Sequence, residues 1–293
     1  MANFQCLRLS AKFIVVIYFV SACGLMSAYA QTSWRMSTEY PESSISGMGL
    51  VSFAKNVAFR TEGSIHVINL FENAAGIGSA ELVAAVQAGK VTGGDAFGGA
   101  MEATDPVFGL SSLPFVVQSI EVAKQVNALA KPYYERALGT HGLKLLYVTI
   151  WPATGLWSTQ ALKTSDDLKN LHVRAYDFNS ARVFRAAGVP ADYMPFNEAI
   201  AQVDEHKLNA IVTSGDGGAG RKLWDHLTNF TAINYAIPVS IAFVRQSEYD
   251  ALPEETRRQV MLAAADTESY TADLLSHRTA ENYEKDEGAR RYH

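Results

Sequence analysis

The chain has 293 residues, of which 48% are apolar and 19% are charged, and its formal net charge is −5. This composition is typical of a globular protein with a large core, and the acidic balance argues against nucleic acid as a partner. No segment after residue 30 is long and apolar enough to span a bilayer, so we expect no stable membrane insertion.

Residues 1–30 have the pattern of a secretory signal peptide. A positively charged start precedes an apolar run of about ten residues, and Ala28-Tyr29-Ala30 forms an A-x-A cleavage site. We expect cleavage after Ala30 and a periplasmic protein. Its net charge would fall from −5 to −7, because the leader carries two cations and no acid. Alternatively, residues 20–23 resemble a lipobox, which would place a lipid on Cys23.

Cysteine chemistry is not expected in the exported chain. Both cysteines, Cys6 and Cys23, lie in the signal peptide, so its removal leaves none for disulfides, thiol catalysis or cysteine-based zinc sites. The sequence contains no G-x-S-x-G and no HExxH motif, and the adjacent residues 204–206 would point to different faces of a helix. We expect neither catalytic residues nor a metal or cofactor.

Strand and helix patterns alternate along the remainder of the chain. Apolar alternation and β-branched runs predict strands at 33–38, 64–70, 90–97, 143–150, 156–159, 172–174, 210–213, 228–235 and 238–244. Periodicity and capping residues predict helices at 46–61, 78–88, 120–138, 180–187, 197–206 and 253 to about 287. This alternation indicates an α/β fold of parallel sheets with helices on both faces.

The chain is expected to divide into two lobes. Lobe I comprises residues 31–151 and about 238–279, and lobe II comprises about 152–237 together with 280–293. The chain leaves the first lobe near residue 151 and returns to it near residue 238. Because two connections join the lobes, a hinged cleft between them can close on a small ligand.

Arg174 is the first candidate ligand residue. It ends the strand of the segment DDLKNLHVR, which covers residues 166–174 and precedes a predicted helix. In open α/β sheets ligands lie beyond the carboxyl ends of the strands, and an arginine there can hold a carboxylate through two parallel hydrogen bonds. The alternative is an arginine that forms an ordinary surface ion pair.

Several segments resemble the solute-binding proteins of TRAP transporters, the DctP-like family. They are the leader, residues 34–41 (WRMSTEYP), residues 166–174 and residues 188–200 (GVPADYMPFNEAI). The resemblance implies a two-lobed periplasmic binding protein, not an enzyme, that captures an organic acid and delivers it to membrane permease subunits. It also implies one long helix that spans both lobes. Family members usually continue past this helix, so we expect the C-terminus at His293 to be shortened.

Trp157 bears on the kind of acid. Many members of the resembled family carry a second basic residue just after the glycine that matches Gly155, whereas this chain has Leu156 and Trp157 there. A large ring in place of a cation predicts a ligand with one carboxylate and an apolar or aromatic body. Small aliphatic monocarboxylates fit this pattern less well, and dicarboxylates least. The alternative is that Trp157 belongs to the core.

The remaining candidates lie at predicted strand ends. Tyr176, two residues after Arg174, would present a ring and a hydroxyl to the ligand. Thr213 and Ser214 would donate to a carboxylate, keto or hydroxy oxygen, although ordinary turn residues before the glycine-rich segment are the alternative. The other expected contacts are Glu39, Phe97, Asn234 and Tyr235.

Two other functions stay open on the sequence alone. A secreted enzyme on the same scaffold would need a nucleophile with a base, or a metal cluster, and neither pattern is present in the sequence. A receptor that presents its ligand to a signalling partner would have the same fold and the same site. Neighbouring genes for two membrane subunits would favour transport, whereas a neighbouring sensor kinase would favour signalling.

Overall fold

The computed structural model describes residues 31–219 and 221–291, so the expected signal peptide, its cleavage site and Cys23 lie outside the described residues. Strands β1 to β10 lie, in chain order, at Thr32–Ser37, Ile65–Leu70, Gly93–Phe97, Leu143–Ile150, Thr154–Ser158, Val173–Ala175, Ala191–Tyr193, Ala210–Ser214, Asn229–Thr231 and Val239–Arg245. Helices α1 to α8 lie at Ile45–Arg60, Leu82–Gln87, Ile120–Thr140, Phe178–Ala186, Phe196–Asp204, Gly215–Ala219, Gln246–Asp250 and Glu254–Arg291.

The first sheet has the strand order β2-β1-β3-β10-β4. β1 runs parallel to β2 and β3, whereas β10 is antiparallel to β3 and β4. Side chains alternate between the two faces of the sheet along β1, so Trp34 and Met36 lie on the same face. Both are fully buried in one core cluster with Phe53 of α1. Ser44 begins α1 by accepting a hydrogen bond from the Gly47 N–H, as a helix cap does.

The second sheet has the strand order β7-β6-β8-β5-β9. β6 is parallel to β7 and β8, and β5 is antiparallel to β8 and β9. Both sheets are therefore mixed, so the expectation of parallel sheets holds for only part of each sheet. The reason is the chain path between lobes. β5 and β10 each enter a sheet from the other lobe, so they run away from the cleft while their neighbours run towards it.

One long helix, α8, contacts both lobes. It packs on α1 and β4 of the first lobe, and it also meets α6 and the short 3-10 helix Leu223–Asp225 of the second. The chain crosses between the sheets twice more, through residues 151–153 and 232–238. This arrangement confirms the two-lobed α/β fold with a helix that spans both lobes. The residue ranges assigned to each lobe stay a prediction.

The elements follow the predicted order with shifted ends. β4 has the predicted bounds, but the predicted strand 228–235 is reduced to Asn229–Thr231. The helix expected to begin with a cap at Asn197 begins at Phe196, with Pro195 as the capping residue. Sequence patterns do not predict β7, α6 or α7, because elements of three to five residues are too short to show a periodicity.

Gly94 marks a close approach between β3 and β1. A Cβ at Gly94 would lie 2.1 Å from the Ser37 carbonyl oxygen, a backbone atom that is fixed by the strand pairing. We therefore expect Gly94→Ala to lower the free energy of unfolding, measured by urea denaturation, by about 1–3 kcal/mol. Gly139→Ala in α3 is the control, because a Cβ there would meet nothing within 4 Å. Equal stability of the two variants would contradict this prediction.

Candidate functional site

A cavity of about 80 Å³ lies between the two sheets. Most of the residues around it end or follow β1, β3, β6, β7 and β8, so the carboxyl ends of strands from both lobes face one space, where α/β proteins place their ligands. Its polar lining comprises Glu39, Ser79, Glu81, Thr154, Arg174, Thr213, Ser214 and Arg221. Its aromatic lining comprises Tyr40, Phe97, Trp151, Tyr176, Tyr193 and Phe196.

Arg174 projects from β6 and has only 6% of its surface exposed. Its Nε donates to the Met194 carbonyl at 2.9 Å, and one terminal nitrogen lies 3.5 Å from the Val212 carbonyl. The guanidinium carbon lies 5.6 Å from the centroid of the Phe196 ring. Burial lowers the pKa of Arg174 to about 10, so the side chain is still a cation at neutral pH. No carboxylate in the described part of the chain forms an ion pair with it.

Arg221 brings a second guanidinium to the same cavity. Its guanidinium carbon lies 4.1 Å from the centroid of the Phe196 ring and 5.4 Å from that of Tyr40. A terminal nitrogen donates to the Glu39 backbone carbonyl at 3.2 Å. Burial lowers the pKa of Arg221, and none of the carboxylates within the described ranges forms an ion pair with it. Phe196 therefore contacts two cations that face one cavity.

Glu39 follows β1 and is held in place by the first lobe. Its Oε1 accepts a hydrogen bond from Ser79 Oγ, which in turn accepts one from the Phe97 N–H at 2.9 Å. No residue that the structure describes hydrogen-bonds to Glu39 Oε2. The Phe97 ring meets the Tyr176 ring edge-on, with 5.1 Å between centroids. This arrangement leaves one carboxylate oxygen of Glu39 available to a ligand N–H or O–H.

Hydroxyl groups line the cavity at the carboxyl end of β8. Thr213 and Ser214 both belong to the lining and immediately precede the short helix α6. Ser214 Oγ accepts a hydrogen bond from the Gly217 N–H at 3.1 Å, and a Cβ at Gly217 would lie 2.3 Å from Thr213 Oγ1. Glycine at this position therefore lets α6 pass close to the Thr213 hydroxyl.

The structure places Trp157 in the core and outside the cavity lining. The residue is fully buried, and its ring lies 5.1 Å from that of Phe230. Alternation along β5 explains this position, because Leu156 and Trp157 belong to the core clusters on opposite faces of the second sheet. Gly218 of α6 leaves room for the indole, since a Cβ there would lie 2.4 Å from it. Trp157 therefore follows the alternative reading of a core residue.

Asn234 and Tyr235 also lie outside the lining. β9 ends at Thr231, so neither residue occupies the strand end at which a ligand contact was expected. Asn234 is exposed, with a left-handed φ of 48°, and Tyr235 is 1% exposed. The Tyr235 ring stacks on Phe184 with 5.8 Å between centroids. Tyr235 thus stabilises the core of the second lobe.

Six expected residues lie together around the cavity, and several others were not predicted. The six are Glu39, Phe97, Arg174, Tyr176, Thr213 and Ser214. The residues that sequence patterns do not predict include Tyr40, Ser79, Trp151, Thr154, Tyr193, Phe196 and Arg221. Tyr193 and Phe196 lie in the segment 188–200 that carries the family resemblance, which is the signal that could have identified them. Arg221 follows the glycine-rich helix α6, a weaker signal.

The described ranges contain neither a metal-binding cluster nor a helix that could span a membrane. They contain no group of three or more His, Cys, Asp or Glu side chains that could hold a metal ion. No helix among them combines the length and the apolar character that a membrane span needs.

Two lobes with a charged cavity between them are the architecture of a solute-binding protein. Residues 36–289 match the DctP family, the bacterial extracellular solute-binding proteins of family 7. The chain therefore belongs to this family, which confirms the resemblance found in the sequence. Among curated proteins, none matches the chain at a significant level.

Solved structures share the fold. An extracytoplasmic solute receptor of Bordetella pertussis that binds pyroglutamic acid is 23% identical, covers 88% of this chain and 85% of its own, and has a TM-score of 0.83. A marine metagenome TRAP solute-binding protein specific for pyroglutamate is 24% identical over 88% and 85%, with a TM-score of 0.82. A Pseudomonas aeruginosa TRAP periplasmic solute-binding protein with bound L-malate is 18% identical over 88% and 90%, also at 0.82. These similarities establish the fold alone.

Asp95 is a buried acid behind the cavity. It lies on β3 with 1% of its surface exposed, and its Oδ1 accepts a hydrogen bond from Ser46 Oγ. Burial raises the pKa of Asp95 to about 7, hydrogen bonds from Ser46 and Ser240 lower it, and the charge of Glu39 raises it. The folded protein therefore keeps a proton on Asp95 over a pH range in which the unfolded chain has lost it.

The wild-type protein should lose stability as the pH rises towards 7, and we expect Asp95→Asn to abolish this loss. Because the pKa is raised from 3.8 to about 7 on folding, ionisation of Asp95 disfavours the folded state. Between pH 3.8 and about 7, the free energy of unfolding of the wild type should fall by up to about 1.4 kcal/mol per pH unit. Chemical denaturation between pH 5 and 8 measures the slope. The exposed control Asp250→Asn should keep the wild-type slope, and an unchanged slope in Asp95→Asn would contradict the assignment.

Proposed function

We propose that this protein is the periplasmic solute-binding subunit of a TRAP-type transporter and that it captures a compact monocarboxylate. One observation carries the proposal: the guanidinium groups of Arg174 and Arg221 face one cavity, and within the described residues neither has a carboxylate partner. A buried cation without a counterion favours an anionic ligand. Arginine can also hold a carboxylate through two parallel hydrogen bonds.

The charges of the lining favour a single carboxylate. Arg174 and Arg221 supply two cations, Glu39 supplies one anion, and the Glu81 side chain lies on the exposed rim. A monocarboxylate therefore neutralises the inner part of the cavity. Since Glu39 Oε2 has no partner among the described residues, a ligand with an N–H or O–H donor would satisfy it, whereas a ligand acceptor there would be repelled.

The size of the cavity favours a compact ligand. Its volume of about 80 Å³ favours a small acid over a long or branched one. The rings of Phe97, Tyr176 and Phe196 suit a flat ligand body, although Trp157 does not contribute to this wall. Pyroglutamate combines one carboxylate, a flat five-membered ring and an N–H donor. It is also the ligand of two of the structures that share the fold.

We expect pyroglutamate to bind the mature protein and its lactone analogue, 5-oxotetrahydrofuran-2-carboxylate, to bind at least about tenfold more weakly. The lactone replaces the N–H donor by an oxygen, which would leave the Glu39 carboxylate facing an acceptor. Isothermal titration calorimetry on both compounds measures the difference. Native mass spectrometry of gently purified protein would show which acid is retained from the cell. Equal affinity for the two compounds would contradict the role of Glu39.

Arg174→Gln should weaken binding of the acid by about 30-fold or more, because the carboxylate then loses a buried, charge-assisted partner. Calorimetry with the retained acid, or with pyroglutamate, gives the dissociation constants. Lys169→Gln removes an exposed cation from the same lobe and should bind as the wild type does. Wild-type affinity in Arg174→Gln would overturn the assignment of the carboxylate site.

Export and delivery are the remaining parts of the proposal. Intact mass of the exported protein distinguishes cleavage after Ala30 from a lipid on Cys23. Reconstitution of the neighbouring membrane subunits in liposomes tests delivery, since uptake of the acid should require the binding protein. If the neighbouring gene encodes a sensor kinase and no uptake occurs, the receptor for a signalling partner replaces the transport subunit.

A further inference from the structure

Arg221 connects the two lobes at the cavity. Arg221 follows β8 and α6 of the second lobe in the sequence. Its guanidinium carbon lies 4.1 Å from the centroid of the Phe196 ring. One terminal nitrogen donates to the carbonyl of Glu39, which follows β1 of the first lobe, at 3.2 Å. Tyr40 of the first lobe also lies within 5.4 Å of the guanidinium. A single cation therefore reaches from the strand ends of one sheet to those of the other.

Arg221 also places a second like charge beside Arg174. Arg174 and Arg221 both contact Phe196. Burial lowers the pKa of Arg174, Tyr40 and Glu39 raise it, and the charge of Arg221 lowers it further. Two like charges in a partly enclosed protein cavity repel each other more strongly than in bulk water. An anionic group between them replaces this repulsion by two attractions. Closure is therefore favoured when an anion is present.

We propose that Arg221 couples capture of the acid to closure of the two lobes, an inference that rests on the proposed function. In this arrangement Arg174 and Arg221 share the ligand carboxylate, and the Arg221 guanidinium holds the Glu39 carbonyl with an N–H that the ligand does not use. A ligand shifts a conformational equilibrium only as far as it binds one state better. Arg221 supplies this difference because the Glu39 carbonyl that it holds belongs to the other lobe, so opening of the cleft would separate the two.

Arginine is suited to this role because its planar group carries five N–H donors in fixed directions. It can therefore bind a carboxylate along one edge and a carbonyl along another. Lysine carries the same charge on a single nitrogen and cannot reproduce both contacts with this geometry. The two substitutions Arg221→Gln and Arg221→Lys thus separate the contribution of charge from that of bridging.

The test combines calorimetry with small-angle X-ray scattering on the mature protein and pyroglutamate or the retained acid. The wild type should contract on binding, seen as a smaller radius of gyration. Arg221→Gln should bind about 30-fold or more weakly and should not contract at saturating ligand. Arg221→Lys should recover part of the affinity without the contraction. Lys222→Asn is the matched control, because it removes the adjacent exposed cation and Asn tolerates the left-handed φ of 50° at that position.

The outcomes distinguish this inference from the function on which it rests. A wild type that binds none of the acids contradicts both. A wild type that binds, together with an Arg221→Gln variant of equal affinity or equal contraction, contradicts the role of Arg221 and leaves the carboxylate site at Arg174 standing. Full contraction in Arg221→Lys would show that charge alone drives closure, which contradicts the bridging role.

Discussion

The energetic constraint behind this site is a buried cation with no carboxylate partner in the described chain. Removing a guanidinium from water costs several kcal/mol unless hydrogen bonds and an opposite charge replace its hydration. For Arg174 the protein supplies part of this replacement through the Met194 and Val212 carbonyls and the face of Phe196. These groups hold the side chain in place but leave its charge uncompensated. The proposed ligand carboxylate would supply the missing counterion.

Strand direction determines which residues can meet at this cation. In both sheets, strands that stay within one lobe end at the cleft, whereas β5 and β10 begin there because each enters from the other lobe. Residues far apart in the sequence, such as Glu39, Phe97 and Ser214, consequently lie at neighbouring strand ends. Close packing of Gly94 on the Ser37 backbone and of Gly217 on the Thr213 hydroxyl then allows these ends to converge. Long-range topology, rather than any local motif, thus assembles the site.

This dependence explains what the sequence could predict. Arg174, Tyr176 and Phe97 lie where a strand that runs towards the cleft ends, and such ends are recognisable from local patterns. Trp157 was expected in the wall because its neighbours match a family position, but it follows the start of a strand that leaves the cleft, and its alternation directs it into the core. Arg221 belongs to no recognisable strand end, since its place depends on how the glycine-rich helix α6 packs.

The proposed preference for one carboxylate therefore has a different basis from the one that the sequence suggested. In the sequence, this preference depended on Trp157 occupying a position where many family members carry a second basic residue. In the structure the second cation exists as Arg221, supplied by another segment, and Glu39 contributes an opposing charge to the same cavity. Two cations and one anion leave a deficit of a single negative charge. A dicarboxylate would bring one charge too many into a cavity whose remaining free acceptor is itself an anion, and it would be repelled there.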